Sequence, residues 1–178
     1  EEQPNQIWTV INLVRDPVAI KVSALFQTLY EYIPDWKKRL TMGRLTMDEL
    51  DKILLKQPEF GARKFESWYE RQIKSLWGID IFENPFPKER GYHIYHNDRV
   101  NLIVFRLEDL NRVASHAFEE LLGIRDLEIV NANLGDQKDY ADLYLQFKQR
   151  PLPSYYVDAI YSTRFAHHFY SNFEIEEF

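Results

Sequence analysis

Arg15 and Ser23 are the residues of this chain whose types and spacing point most directly to chemistry. The run Ile7-Trp8-Thr9-Val10-Ile11-Asn12-Leu13-Val14 is nearly continuously apolar, the pattern of a strand buried on both faces. It gives way at once to Arg15-Asp16-Pro17-Val18-Ala19-Ile20-Lys21-Val22-Ser23. Asp16 suits a helix N-cap and Pro17 the first helical turn, where a missing N–H has no partner to lose. A guanidinium is thereby set at the carboxyl end of a strand, where open α/β sheets take ligands, with a hydroxyl about two helical turns further on. Phosphate is the guest that fits these donors. A structural reading of the same residues stays open, with Arg15 as an ion-pair partner and Ser23 bonded back to a carbonyl one turn earlier.

Other polar groups offer less. Asn131-Ala132-Asn133-Leu134-Gly135-Asp136-Gln137-Lys138 is a polar loop that can present amides and the Lys138 ammonium to an anion; a plain helix-capping loop is the alternative. His93 and His96 stand three apart on an expected strand and face opposite sides, so no metal site is expected there. His167 and His168 are adjacent and cannot share one face of a helix.

Three strings carry a resemblance. Arg15-Asp16-Pro17-Val18 with Ser23 resembles the sulfotransferase segment that holds the 3′-phosphate of 3′-phosphoadenosine 5′-phosphosulfate. Val104-Phe105-Arg106-Leu107-Glu108-Asp109-Leu110, followed by Leu121-Leu122-Gly123-Ile124, is similar to the later strand, "EDL" and "FLGI" succession of those enzymes. Asn84-Pro85-Phe86-Pro87-Lys88-Glu89-Arg90-Gly91-Tyr92, the loop Asn131 to Gly135, and His168-Phe169-Tyr170-Ser171 resemble the capsular polysaccharide synthesis proteins of bacteria, a sulfotransferase-like family, over nearly the whole chain.

The resemblance implies sulfuryl transfer from that nucleotide donor to a saccharide acceptor. It places Arg15, Ser23 and secondarily Lys138 on the donor, and requires no metal. It also implies a P-loop-type, three-layer α/β domain with a mainly parallel sheet. One departure stands out, because the glycine-rich loop that holds the 5′-phosphosulfate in sulfotransferases does not occur here. The sequence begins Glu1-Glu2-Gln3-Pro4, so that loop and its βα unit are expected upstream of Glu1; the base and the groups on the sulfuryl are expected there too, or in an acidic residue that the sequence does not single out. The sheet is then expected to be small, with an apolar edge seeking cover. A non-catalytic glycan-binding or structural protein and a P-loop phosphotransferase are the alternatives; the latter needs a P-loop and a magnesium-holding acid.

Composition narrows the classes. With 178 residues, 45% hydrophobic and 15% aromatic, the chain can bury a sizeable core as one domain over residues 1–178. Cysteine is absent, which removes disulfides and thiolate chemistry and suits a reducing, cytoplasmic location. A net charge of −6 argues against a nucleic-acid surface but not against one nucleotide. No apolar run approaches the roughly 20 residues that cross a bilayer. The acidic end, Glu174, Glu176 and Glu177, reads as a solvated face.

The remaining elements follow from period and punctuation. A helix after Pro17 carries Val18, Val22, Leu25, Phe26 and Leu29 inward. Residues 34–61 are expected to form a helical insert or lid, or a simple connecting pair of helices, with a capping box at Thr46 and Glu49. The period predicts a helix over 62–77 with Phe65, Trp68, Tyr69, Ile73 and Leu76 on one face, ended by Gly78. Two strands flank a turn at 96–99, and a helix over 111–122 ends at Gly123 with Glu108 and Asp109 at its entrance as caps or dipole partners. A short strand is expected at 127–130, then a helix bearing Leu143 and Phe147, and a last long helix capped by Ser154.

Overall fold

The strand expected from the apolar run forms, and it is the edge of a small sheet. The computed structural model describes residues 7–56, 63–130 and 138–177. In chain order the elements are β1 (Trp8–Val14), α1 (Pro17–Gln27), α2 (Leu29–Tyr32), α3 (Trp36–Thr41), α4 (Met47–Leu55), α5 (Arg63–Tyr69), a π-helical turn (Glu70–Lys74) and α6 (Ser75–Trp77). There follow β2 (Tyr92–His96), β3 (Val100–Arg106), a 3-10 turn (Leu107–Asp109), α7 (Leu110–Leu122), α8 (Ala141–Lys148), α9 (Ser154–Tyr161), α10 (Arg164–Phe169) and α11 (Asn172–Glu177). The chain divides into two compact units, one of residues 1–15, 62–129 and 161–178, the other of 16–61 and 130–160.

The first unit holds the sheet, in the order β1-β3-β2. β1 runs parallel to β3, and β2 antiparallel to it, so the sheet is mixed and not mainly parallel. The hairpin explains the difference: the Asn97 carboxamide accepts from the N–H groups of Arg99 and Val100 and closes a tight turn, which can join only antiparallel neighbours. Alternation along β3 feeds two cores. Leu102 and Val104 pack with Tyr69, Ile73, Phe165 and Phe169 from α5, the π turn and α10, while Ile103 and Phe105 pack with Val113, Ala114 and Ala117 of α7. α7 ends at Gly123, whose φ of 68° is the left-handed conformation expected of a glycine stop.

Among the described residues β1 has a neighbour on one side only, and Trp8, Ile11 and Leu13 are about half exposed, at 54%, 51% and 49%. The expected apolar edge is therefore present. No strand forms at 127–130; Leu127 and Ile129 lean on the α7 core while Val130 stays exposed. Alternation alone makes no strand without a neighbour to complete its hydrogen bonds.

The helix expected over 62–77 is interrupted by the π turn. Tyr69 and Ile73 stay buried, but the wider turn rotates Leu76 out to 55% exposure, and Trp68 is 40% exposed. Asn12 of β1 accepts a hydrogen bond from the Tyr69 hydroxyl, a contact that fixes the helix by its partner and not by its own period. The last long helix is likewise broken: Thr163 accepts from the Ala166 N–H and starts α10 afresh, and Ser171 starts α11.

The second unit is helical among its described residues. Val22, Leu25 and Phe26 of α1 meet Leu50 and Leu54 of α4, Leu143 and Phe147 of α8, and Tyr156 and Ile160 of α9. The capping box of α4 forms as its sequence requires, Thr46 accepting from the Glu49 N–H and Glu49 from the Thr46 N–H. The Arg39 guanidinium, then the Thr46 N–H, hold the Glu49 carboxyl below the usual carboxylate range.

Candidate functional site: the carboxyl end of the parallel strands

The parallel register pairs Val14 with Arg106, so β1 and β3 end level and each delivers an arginine. The two arginines meet different fates. Arg106 is 6% exposed and its donors are spent: Nε reaches Asp109 at 2.6 Å, and one terminal nitrogen reaches Glu174 at 2.7 Å and the Phe169 carbonyl at 3.2 Å. Its guanidinium also lies 5.4 Å from the Tyr170 ring. Arg15, one residue beyond Val14, is partly buried, and no hydrogen bond or ion pair engages its guanidinium among the described residues.

The Arg106 clasp is built by the strings that carried the family resemblance. Asp109 accepts from Arg112 as well as Arg106; it stands at the entrance of α7 as expected, but it pairs two arginines and makes no side-chain cap to the helix. Gly91 lies beneath it at φ +77°, and an added Cβ would stand 2.6 Å from the Asp109 side chain. The Gly91 carbonyl accepts from the Arg106 N–H. Lys88 donates to the carbonyls of His167 and Tyr170 at 2.7 Å each, and the Tyr170 hydroxyl donates to Glu108.

Glu174, expected on a solvated acidic face, is instead a member of this clasp. Burial pushes its carboxyl upward, but the Ser171 N–H and hydroxyl and the Arg106 guanidinium outweigh it and hold the group below the usual carboxylate range. Burial also opposes the charge on Arg106, and Asp109 and Glu174 more than restore it. Within the clasp two arginines face two carboxylates.

Beside it His168 packs against Phe82, Phe86 and Phe169, with its Nε2 shielded and without a partner among the described residues. His93 faces inward and His96 is exposed, as their spacing on a strand required. The described residues contain no cluster of three or more histidines and acids able to hold a metal.

The other two expected donor ligands belong to the second unit. Asp16 caps α1 by accepting from the Ala19 N–H at 2.6 Å, as anticipated. Ser23 is partly buried on α1, and its hydroxyl accepts from the Gln27 carboxamide at 3.2 Å; among the described residues it donates to no backbone carbonyl one turn earlier, as the structural alternative would have it. Lys138 is exposed in the turn before α8, its carbonyl accepting from the Ala141 N–H; Asn131 to Gln137 of the same loop lie outside the described residues. Two charged residues escaped the sequence reading. Lys21 is 6% exposed, and its place between Val18 and Leu25 at helical spacing was the available signal. Arg106 was signalled by closing the β3 run much as Arg15 follows the β1 run.

Fold and site together define a helix-rich α/β protein with a small mixed sheet, in which the parallel strands β1 and β3 end level and each leads to an arginine. The chain belongs to the family described as "Putative capsular polysaccharide synthesis protein", whose model matches residues 37–171. No curated protein and no solved structure matches it, and no described helix is long and apolar enough to cross a membrane.

Proposed function

We propose that the protein transfers a sulfuryl group from 3′-phosphoadenosine 5′-phosphosulfate to a hydroxyl or amine of a saccharide, in the synthesis of capsular or related polysaccharide in the cytoplasm. Family membership supports the polysaccharide context, and the Arg15-Asp16-Pro17-Val18…Ser23 string supports the donor. Helix α7 on one face of the sheet, with α5 and α10 on the other, supports a three-layer sulfotransferase-like architecture.

Arg15 is the observation that carries the reading: a partly buried guanidinium, without a hydrogen bond or ion pair among the described residues, at the carboxyl end of a parallel strand and directly before a capped helix. An arginine in such a place gains from a phosphate through two charge-assisted bonds. In this reading Arg15 takes the 3′-phosphate. The acceptor oxygen or nitrogen attacks sulfur in line, the bond from sulfur to the bridging phosphate oxygen breaks, and adenosine 3′,5′-bisphosphate leaves as the acceptor proton passes to a base. None of these steps calls for a metal.

Thermal unfolding with adenosine 3′,5′-bisphosphate tests the proposal. At about 100 times its dissociation constant the nucleotide stabilises the wild type by about 2.7 kcal/mol, and Arg15→Ala loses that gain while keeping its own melting temperature. No stabilisation of the wild type, or an equal one in Arg15→Ala, refutes it.

A further inference from the structure

We infer that Arg106 is a positioning residue for nucleotide binding: held by Asp109 and Glu174, it fixes the end of β1 from which Arg15 emerges and leaves Arg15 as the cation that a phosphate meets. The inference rests on the reading of Arg15 proposed above.

Register and electrostatics both support it. Val14, the last residue of β1, is 2% exposed and pairs directly with Arg106, so any movement of Arg106 is passed through the parallel ladder to the residue preceding Arg15. Arg106 cannot drift, because its guanidinium is gripped from two directions: by Asp109 in the turn after its own strand, and by Glu174 and the Phe169 carbonyl near the end of the chain. Glu174 is itself oriented by the Ser171 N–H and hydroxyl, and Asp109 by Arg112 and the close approach of Gly91. A buried ion pair is a poor source of stability compared with apolar packing of the same volume; its best-attested use is to specify one arrangement. Since Asp109 and Glu174 answer the Arg106 charge, Arg106 does not compete for an anion arriving at the same end of the sheet.

Isothermal titration of the full chain with adenosine 3′,5′-bisphosphate separates positioning from mere support. Arg106→Lys keeps the charge and loses the fork; Glu174→Gln keeps the shape and loses the charge. Each is expected to raise the dissociation constant at least tenfold with unchanged stoichiometry, and Glu174→Asp to recover most of the loss. In an Arg15→Ala background, adding Arg106→Lys is expected to cause no further weakening, since the effect runs through Arg15. A purely structural role gives the opposite pattern: fewer competent molecules, a lower stoichiometry and an unchanged constant, and that result overturns the inference. An unchanged constant in both Arg106→Lys and Glu174→Gln, with wild type binding and Arg15→Ala impaired, also overturns it and leaves the reading of Arg15 standing. Failure of the wild type to bind overturns both.

Discussion

His168 makes the packing of the first unit measurable through pH. Its ring centroid lies 4.9 Å from that of Phe82 and 4.7 Å from that of Phe169, and its shielded Nε2 has no partner among the described residues. Burial, then the fields of Arg164 and Lys88, push the imidazole down to about 4, with Asp80 pulling the other way and His93 adding to the depression. The unfolded chain, with an imidazole near about 6.5, therefore takes up the proton first as pH falls. Stability contributed by neutral His168 is complete above about pH 6.5 and drains away as pH falls towards about 4. Between pH 7.5 and pH 5 the interval crossed is about 1.5 units, at most about 2 kcal/mol, and roughly 1 kcal/mol once solvent screening of this incompletely buried ring is allowed for. Urea unfolding of wild type and His168→Phe at those two pH values provides the assay. His93 is depressed by burial in the same direction and is present in both proteins, so the difference between their pH responses isolates His168. The wild type is expected to lose about 1 kcal/mol more than the variant on acidification. An equal loss in the two refutes the reasoning.

Three further substitutions probe separate parts of the structure. Gly91→Ala must place a Cβ against Asp109 at a φ of +77°, so it is expected to cost about 2–4 kcal/mol by chemical denaturation. Thr46→Ala removes the capping box of α4 and is expected to cost about 1 kcal/mol, read as a shift in urea midpoint at unchanged slope. Leu50→Ala opens a cavity at a position with no exposure, with an expected loss of about 2–5 kcal/mol.

What could be read from the sequence was local. The apolar run to Val14, Asp16 and Pro17 specify the end of β1 and the start of α1 by themselves, because each signal acts within a few residues. The Thr46 box, the Asn97 turn and the Gly123 stop were legible for the same reason. The π turn was not, since nothing in Glu70 to Lys74 breaks the helical period. Nor was the role of Glu174, which sits in an acidic stretch and whose partner Arg106 lies far away in the sequence. The break at Thr163 lay between these cases: threonine is a good cap, but the apolar residues Ile160, Tyr161 and Phe165 carried the helical pattern across it. The arginine that could be picked out, Arg15, was marked by its position at a strand end before a capped helix. Arg106 shares the first half of that signature, and its partners lie too far along the chain for spacing to reveal.

A ligand and protein cycle tests the central claim most directly: calorimetric affinities of wild type and Arg15→Ala for adenosine 3′,5′-bisphosphate and for adenosine 5′-phosphate, which lacks the 3′-phosphate. The account predicts that removing the 3′-phosphate weakens binding to the wild type at least tenfold, about 1.4 kcal/mol or more, and weakens binding to Arg15→Ala hardly at all. Equal weakening in the two proteins would show that Arg15 does not meet that phosphate, and would contradict the account.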